Sequence, residues 1–276
     1  MEHTRGAILV VSFGTSYEET RKKTIDRIEA EIQAQYPQYA LYRAWTSGMI
    51  RRKIEQRDGI HIPDVTEALE QMRKDKVRTV IVQPTHVING IENEQMEKEV
   101  RAFADCFDQI VTGKPLLTSQ EDNDTVVECV ARELHPSPDE ALLLMGHGTE
   151  HYSNSVYAAL DYQFKDRGYE NIFMGTVEAY PAFDSLIRRV RAYGPKRVIL
   201  APFMIVAGDH ASNDLSGDGE DSWKSRLESE GFPVTCVLKG LGEYEGIRQL
   251  FLSHVASSVA QLNKEQESGK PHNVRQ

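Results

Sequence analysis

Cysteine is scarce in this chain: three in 276 residues. Cys106, Cys129 and Cys236 form an odd set with no C-x-x-C spacing. That excludes a disulfide framework and a thiolate metal site, and it fits a reducing compartment. Long apolar runs are also missing: none approaches the roughly 20 residues that cross a bilayer. The opening Met-Glu-His-Thr-Arg-Gly leads into the first strand pattern with no apolar signal region. A cytoplasmic protein with no membrane partner is expected. Basic residues are outnumbered, 32 Lys and Arg against 42 Asp and Glu, for a net charge of −10. This opposes a nucleic-acid partner, which would usually meet a basic face. It leaves room for an anionic ligand held by a local arginine cluster. No G-x-x-x-x-G-K-[ST] is present, and no G-x-G-x-x-G follows the first strand, so neither phosphate-binding loop applies.

What is present is an alternation of apolar runs with helix-period segments. Strands are expected at Ala7–Phe13, Leu41–Trp45, Val77–Gln83 and Gln109–Thr112. Helices are expected over Tyr17–Gln35, Met49–Gln56, Val65–Lys74, Glu92–Phe107 and Asp122–Leu134. Pro136, Pro138 and Asp139 interrupt the pattern. The cycle then restarts with strands at Ala141–Met145, Ile172–Val177, Arg197–Phe203 and Val234–Leu238. Helices at Ser153–Phe164, Ala182–Ala192, Asp221–Glu230 and Glu245–Leu262 fill the intervals. Continuous β-branched runs such as Val77–Gln83 suit strands buried on both faces of a parallel sheet.

The two halves resemble each other. Ile8–Thr15 matches Leu142–Thr149, and Gln83–Glu92 matches Ala201–His210. Arg43-Ala44-Trp45 takes the position of Glu178-Ala179-Tyr180. The expected architecture is therefore a duplicated α/β fold: two similar three-layer lobes with mostly parallel sheets and a cleft between them. The lobes are set at 1–135 and 136–262, the second carrying the candidate ligands, with a polar, frayed tail at 263–276.

Three stretches end apolar strands on a polar group: Gly146-His147-Gly148, Val177-Glu178-Ala179 and Gly208-Asp209-His210. In an open α/β sheet such ends lie side by side. Two imidazoles and a carboxylate make a three-ligand site for a divalent transition metal. Asp209 or Asp214 is placed to orient His210 through its second ring nitrogen. His151 is a reserve ligand. On the repeat register, His147 corresponds to Phe13, Glu178 to Arg43 and His210 to Glu92, so every candidate ligand lies in the second copy. In the first copy, Ser12, Phe13, Gly14 and Thr15 suit either an anion cradle at a helix N-terminus or plain helix capping. Arg43, Arg51, Arg52 and Arg57 form a basic patch, either a solvated helix face or a carboxylate site. His86 and Glu92 either face a ligand or cap the following helix.

Taken together, several stretches resemble the anaerobic-pathway sirohydrochlorin cobaltochelatases, within the class II chelatase superfamily that includes ferrochelatases. They are Val11–Ser16, Arg43–Ile50, Gln56–Gly59, His86–Gly90, Met145–Gly148, Val206–His210 and Gly217–Lys224. The resemblance runs from about residue 7 to 262. It implies insertion of Co²⁺ into sirohydrochlorin (or precorrin-2) in anaerobic cobalamin synthesis. It also implies His147, Glu178 and His210 as metal ligands, with His147 and Glu178 catalytic. Ser12, Phe13, Gly14, Thr15, Arg43, His86 and Glu92 become expected contacts for the carboxylate-rich tetrapyrrole. Co²⁺ is then substrate rather than resident cofactor, with Fe²⁺ or Ni²⁺ as alternatives, and a homo-oligomer is compatible. The rival readings are Fe²⁺ insertion into sirohydrochlorin or a porphyrin, and a non-catalytic tetrapyrrole or metal carrier.

Overall fold

The computed structural model describes residues 6–268. Its elements run β1 (Gly6–Ser12), α1 (Glu18–Lys23), α2 (Ile25–Gln35), β2 (Ala40–Trp45), α3 (Gly48–Asp58), α4 (Val65–Lys74), β3 (Thr79–Pro84), α5 (Ile91–Ala102) and β4 (Gln109–Thr112). They continue with α6 (Gln120–Leu134), β5 (Glu140–Gly146), α7 (Ser155–Asp166), β6 (Ile172–Thr176), α8 (Phe183–Tyr193), β7 (Arg197–Pro202), α9 (Trp223–Ser229), β8 (Val234–Cys236) and α10 (Glu245–Ser268). Among the described residues, no helix is long and apolar enough to cross a membrane.

Two four-stranded parallel sheets result, in the orders β2-β1-β3-β4 and β6-β5-β7-β8. The second order is the first with every strand advanced by four, so the duplication expected from sequence is a duplication of topology. Parallel strands need helical crossovers that cover both faces, and the central strands are buried accordingly. Along β1, Ala7, Leu9 and Val11 enter a core with Leu69 and Met72 of α4 and Met96 and Val100 of α5. In the second sheet, Leu143 and Met145 pack with Leu186 and Val190 of α8 and Leu227 of α9. Each fully buried aliphatic side chain contributes roughly 1.5–3 kcal/mol.

Three expectations need correction. The helix expected over Tyr17–Gln35 is broken at Thr24, whose φ of −121° and ψ of −86° leave the helical region. The buried Thr24 hydroxyl donates to the Thr20 carbonyl at 2.6 Å, local bonding of the kind that competes with the helical ladder. The boundary at 135/136 also shifts. One unit comprises the residues up to Leu116 and those from Arg248 onward, and the other Leu117–Ile247. Helix α6 packs on α7, and Arg167 of the α7 C-cap bonds Glu128, so α6 belongs to the second unit. The later part of α10 returns to the first, where Arg248 pairs with Glu31 at 2.8 Å and His254 Nδ1 meets the Lys114 carbonyl. Finally, 263–268 continue α10 rather than fray; 269–276 lie outside the described residues.

The outer edge of β6 would expose ladder groups. Asp161 of α7 covers it by accepting the Met174 amide at 2.9 Å. Lys165 and Arg189 neutralise that buried carboxylate. Burial of Lys165 outweighs Asp161 and lowers its pKa to about 8.

Candidate metal centre

In the second sheet the chain goes from β5 to β6 on one side and returns to β7 on the other. The crevice at such a switch point, outside the carboxyl ends of the strands, is where open α/β sheets bind ligands. His147 is the first residue after β5, Glu178 the second after β6, and His210 closes the loop after β7. Donor atoms of the three lie within 4.8 Å of one another. His147 Nδ1 stands 3.6 Å from Glu178 Oε2. The two imidazoles meet edge to face, centroids 4.7 Å apart and planes at 89°. The structure thus brings together the three ligands expected from sequence, all within one unit.

The backbone explains why these residues converge. Parallel pairing continues past the strand ends: the Val177 amide donates to the Gly146 carbonyl, and the Glu178 amide to the His147 carbonyl. Gly148 adopts φ +86°, and a Cβ there would stand 2.9 Å from the Ala179 nitrogen. Glycine is therefore required for the two loops to touch. Asn154 then clasps them, accepting from the Thr149 amide at 3.1 Å and donating to the Tyr180 carbonyl at 2.6 Å. The loop after β7 is braced by the Leu241 and Gly242 amides, which donate to the Met204 and Ile205 carbonyls.

Hydrogen bonds fix the tautomers. His147 Nδ1 lies 2.9 Å from the Gly148 carbonyl, which only accepts, so in the neutral ring the lone pair sits on Nε2. His210 Nδ1 donates to Asp214 Oδ2 at 2.7 Å, again placing the lone pair on Nε2. Asp214 lies on a π-helical turn, Ala211–Leu215, that follows His210; such turns recur at functional sites. Of the two acids expected to orient His210, Asp214 makes the bond. His151 is not among the converging donors; its Nδ1 caps the next turn through Ser153.

Two imidazoles and one carboxylate form an intermediate donor set that suits Co²⁺, Fe²⁺ or Ni²⁺ and lacks thiolate. It is open, since Glu178 is exposed and both histidines are half-buried. Such a site can take up a metal and give it away.

The first unit holds the counterparts. Ser12 pairs in register with Trp45, as Gly146 does with Thr176. The residue matching Glu178 is therefore Ser47, whose amide donates to the Phe13 carbonyl just as Glu178 donates to that of His147. This corrects the expected Arg43–Glu178 match, which was four residues out of step. Arg43 lies inside β2 opposite Val10, and its guanidinium pairs with Asp26 and Glu29 of α2. Burial raises the Glu29 pKa, Arg43 works against that rise, and the Arg43 pKa is itself raised by these carboxylates against its own desolvation. Arg43 is committed to the fold, not to a ligand.

Other expected contacts divide the same way. Ser12 Oγ accepts from the Thr85 hydroxyl at 2.8 Å, and Thr15 Oγ1 accepts from the Tyr17 amide. Both serve the turn. Gly14, at φ +101°, packs its α-carbon against the Trp45 ring. His86 is buried, its Nε2 3.3 Å from the Thr46 hydroxyl and its Nδ1 3.4 Å from Asn93 Oδ1. Burial lowers its pKa. It ties loops together. Phe13 and Glu92, in contrast, are exposed. Asn154 carries no sequence signal, because its role exists only once two loops meet.

The fold and donor set define a chelatase-type α/β protein. The sirohydrochlorin chelatase SirB from Bacillus subtilis subspecies spizizenii, solved in complex with cobalt, superposes with a TM-score of 0.63. That likeness spans 95% of this chain and 98% of SirB at 11% identity, and is one of fold. The model of the family described as cobalt chelatase (CbiK) matches residues 6–260. The sirohydrochlorin cobaltochelatase of Salmonella typhimurium is 41% identical over 255 residues, 92% of this chain and 96% of that one. The sirohydrochlorin cobaltochelatase CbiKC of Nitratidesulfovibrio vulgaris is 31% identical over 264 residues, 94% of this chain and 93% of its own. The chain belongs to the cobalt chelatase (CbiK) family.

Proposed function

We propose that this protein inserts Co²⁺ into sirohydrochlorin, with His147, Glu178 and His210 presenting the metal. The observation that carries the reading is the convergence of those three donors at one switch point, in a chain whose relatives bear that activity in their names. Insertion exchanges one dication for the pyrrole N–H protons. As a metal–ligand bond breaks, a lone pair becomes available where a proton is leaving. His147 Nε2 is the principal proton acceptor in this reading, since an imidazole is a general base suited to neutral pH. Glu178 takes the second proton. Charge at the site is then conserved through the exchange. Because each ligand releases the metal before accepting a proton, one residue serves both roles in sequence.

In the first unit, Phe13 and Glu92 hold the places of His147 and His210, and both are exposed as substrate contacts would be. Ser12, Gly14, Thr15 and His86 shape the turns that present them. Anaerobic incubation with sirohydrochlorin and either Co²⁺, Fe²⁺ or Ni²⁺, followed through the macrocycle's visible spectrum, tests the reading. A catalysed rate above the protein-free control, fastest with Co²⁺, supports it. A binding shift with no turnover means a carrier, and a faster rate with Fe²⁺ means a siroheme-type ferrochelatase.

A further inference from the structure

Of the four arginines in the basic patch of the first unit, three are spent on the fold. Arg43 is paired with Glu29 and Asp26. Arg51 reaches Asp64 at 3.0 Å and Glu67 at 3.2 Å. Arg57 holds Asp58 and the Ser16 carbonyl. Arg52 is the exception: it is exposed and makes no hydrogen bond or ion pair among the described residues. Its guanidinium folds back over the start of α3, with Nη1 3.4 Å from where a Cβ on Gly48 would stand. That puts an uncommitted cation beside Ser47, the counterpart of the metal ligand Glu178.

Met49 lies three residues before Arg52 and so on the same helix face. It is 74% exposed, an unusual setting for a large apolar side chain at a helix start. The register that matches Trp45 to Thr176 matches Met49 to Tyr180, and Tyr180 is itself 66% exposed. Both copies thus hold an apolar group in solvent at the same place beyond a strand end. Arg52 has no such twin, since its match is the buried Phe183. An apolar group and a guanidinium on one turn complement a flat ring with carboxylates on its rim. The first-turn amides of α3 add a favourable partial charge for an anion.

We propose that Met49 and Arg52 form a subsite for one edge of the tetrapyrrole. Met49 lies against the ring's apolar face, and Arg52 takes a peripheral carboxylate through two parallel N–H···O bonds. The subsite rests on the chelatase reading and adds its specificity for a carboxylate-bearing ring.

The test compares wild type, Arg52→Gln, Arg52→Lys, Met49→Ser and Arg73→Gln. Arg73 is an exposed arginine of α4 with no ion pair among the described residues, so it controls for net charge. Spectrophotometric titration with metal-free sirohydrochlorin gives Kd, and anaerobic Co²⁺ insertion gives KM and kcat. Arg52→Gln should raise Kd and KM about tenfold, with kcat within about twofold, as loss of a charged hydrogen-bonded contact in uniform binding requires. Arg52→Lys should recover only part, because an ammonium lacks the planar fork. Met49→Ser should cost about threefold, and Arg73→Gln less than twofold. Equal shifts for Arg52→Gln and Arg73→Gln, or no shift for either, would overturn the subsite. So would a fall in kcat at unchanged Kd. If wild type neither binds nor metallates sirohydrochlorin, the chelatase reading falls first.

Discussion

Replacing Arg43 with methionine separates a fold role from a substrate role. The guanidinium touches Glu29, whose side chain is 7% exposed, while Arg43 itself is 30% exposed. Removing one partner of a fully buried pair costs roughly 3–5 kcal/mol, because the other charge is stranded. Partial exposure of Arg43 lets water screen some of this, so the expected loss is about 2–3 kcal/mol at pH 7. The pH dependence has a definite sign. Burial already holds the Glu29 pKa above its ordinary value with Arg43 present, and losing the cation pushes it further. A carboxylate whose folded pKa exceeds the unfolded one favours the fold when protonated. The deficit of Arg43→Met is therefore full at pH 7 and shrinks as pH falls toward about 4.3, the unfolded value. The double variant Arg43→Met with Glu29→Met should recover most of the stability, since neither charge then remains buried. Urea denaturation followed by circular dichroism at pH 7 and pH 5 measures this, with KM for sirohydrochlorin alongside. An unchanged urea midpoint together with a tenfold higher KM would refute the reasoning and restore Arg43 as a substrate contact.

Asp214→Ala should weaken Co²⁺ binding roughly 10–100-fold, as loss of a bond that orients a metal-ligating histidine does. Asp214→Asn, which keeps an acceptor for His210 Nδ1–H, should weaken it less; Co²⁺ titration without tetrapyrrole reads both. His86 is buried with its pKa lowered, so the unfolded chain takes up a proton before the folded one does. Wild type should therefore lose stability as pH falls below about 6.5, more steeply than His86→Gln. Parallel slopes in urea melts across pH 7 to 5 would contradict that account of His86.

Most of the architecture was legible because parallel strands buried on both faces leave continuous apolar runs. Gln109–Thr112 and Val65–Lys74 were bounded as the structure has them. The convergence of His147, Glu178 and His210 was legible for a related reason: a polar residue just beyond such a run stands at a strand end, and strand ends converge. Side-chain commitments were not. Nothing in Arg43-Ala44-Trp45 reveals that α2 brings Glu29 beneath the arginine, or that the second repeat is four residues out of step there. The helix break at Thr24 goes with a local hydroxyl–carbonyl bond that the helical period of Tyr17–Gln35 does not announce. The move of α6 into the second unit depends on tertiary packing with α7, which outweighs the Pro136–Asp139 turn as a boundary.

In the proposed mechanism His147, Glu178 and His210 deliver Co²⁺, while His147 and Glu178 accept the macrocycle's two protons. Anaerobic single-turnover metallation of sirohydrochlorin by His147→Ala, beside wild type at saturating Co²⁺, tests it most directly. The account predicts that the catalysed rate collapses toward the protein-free control while sirohydrochlorin binding persists. A variant that metallates at the wild-type rate would contradict it.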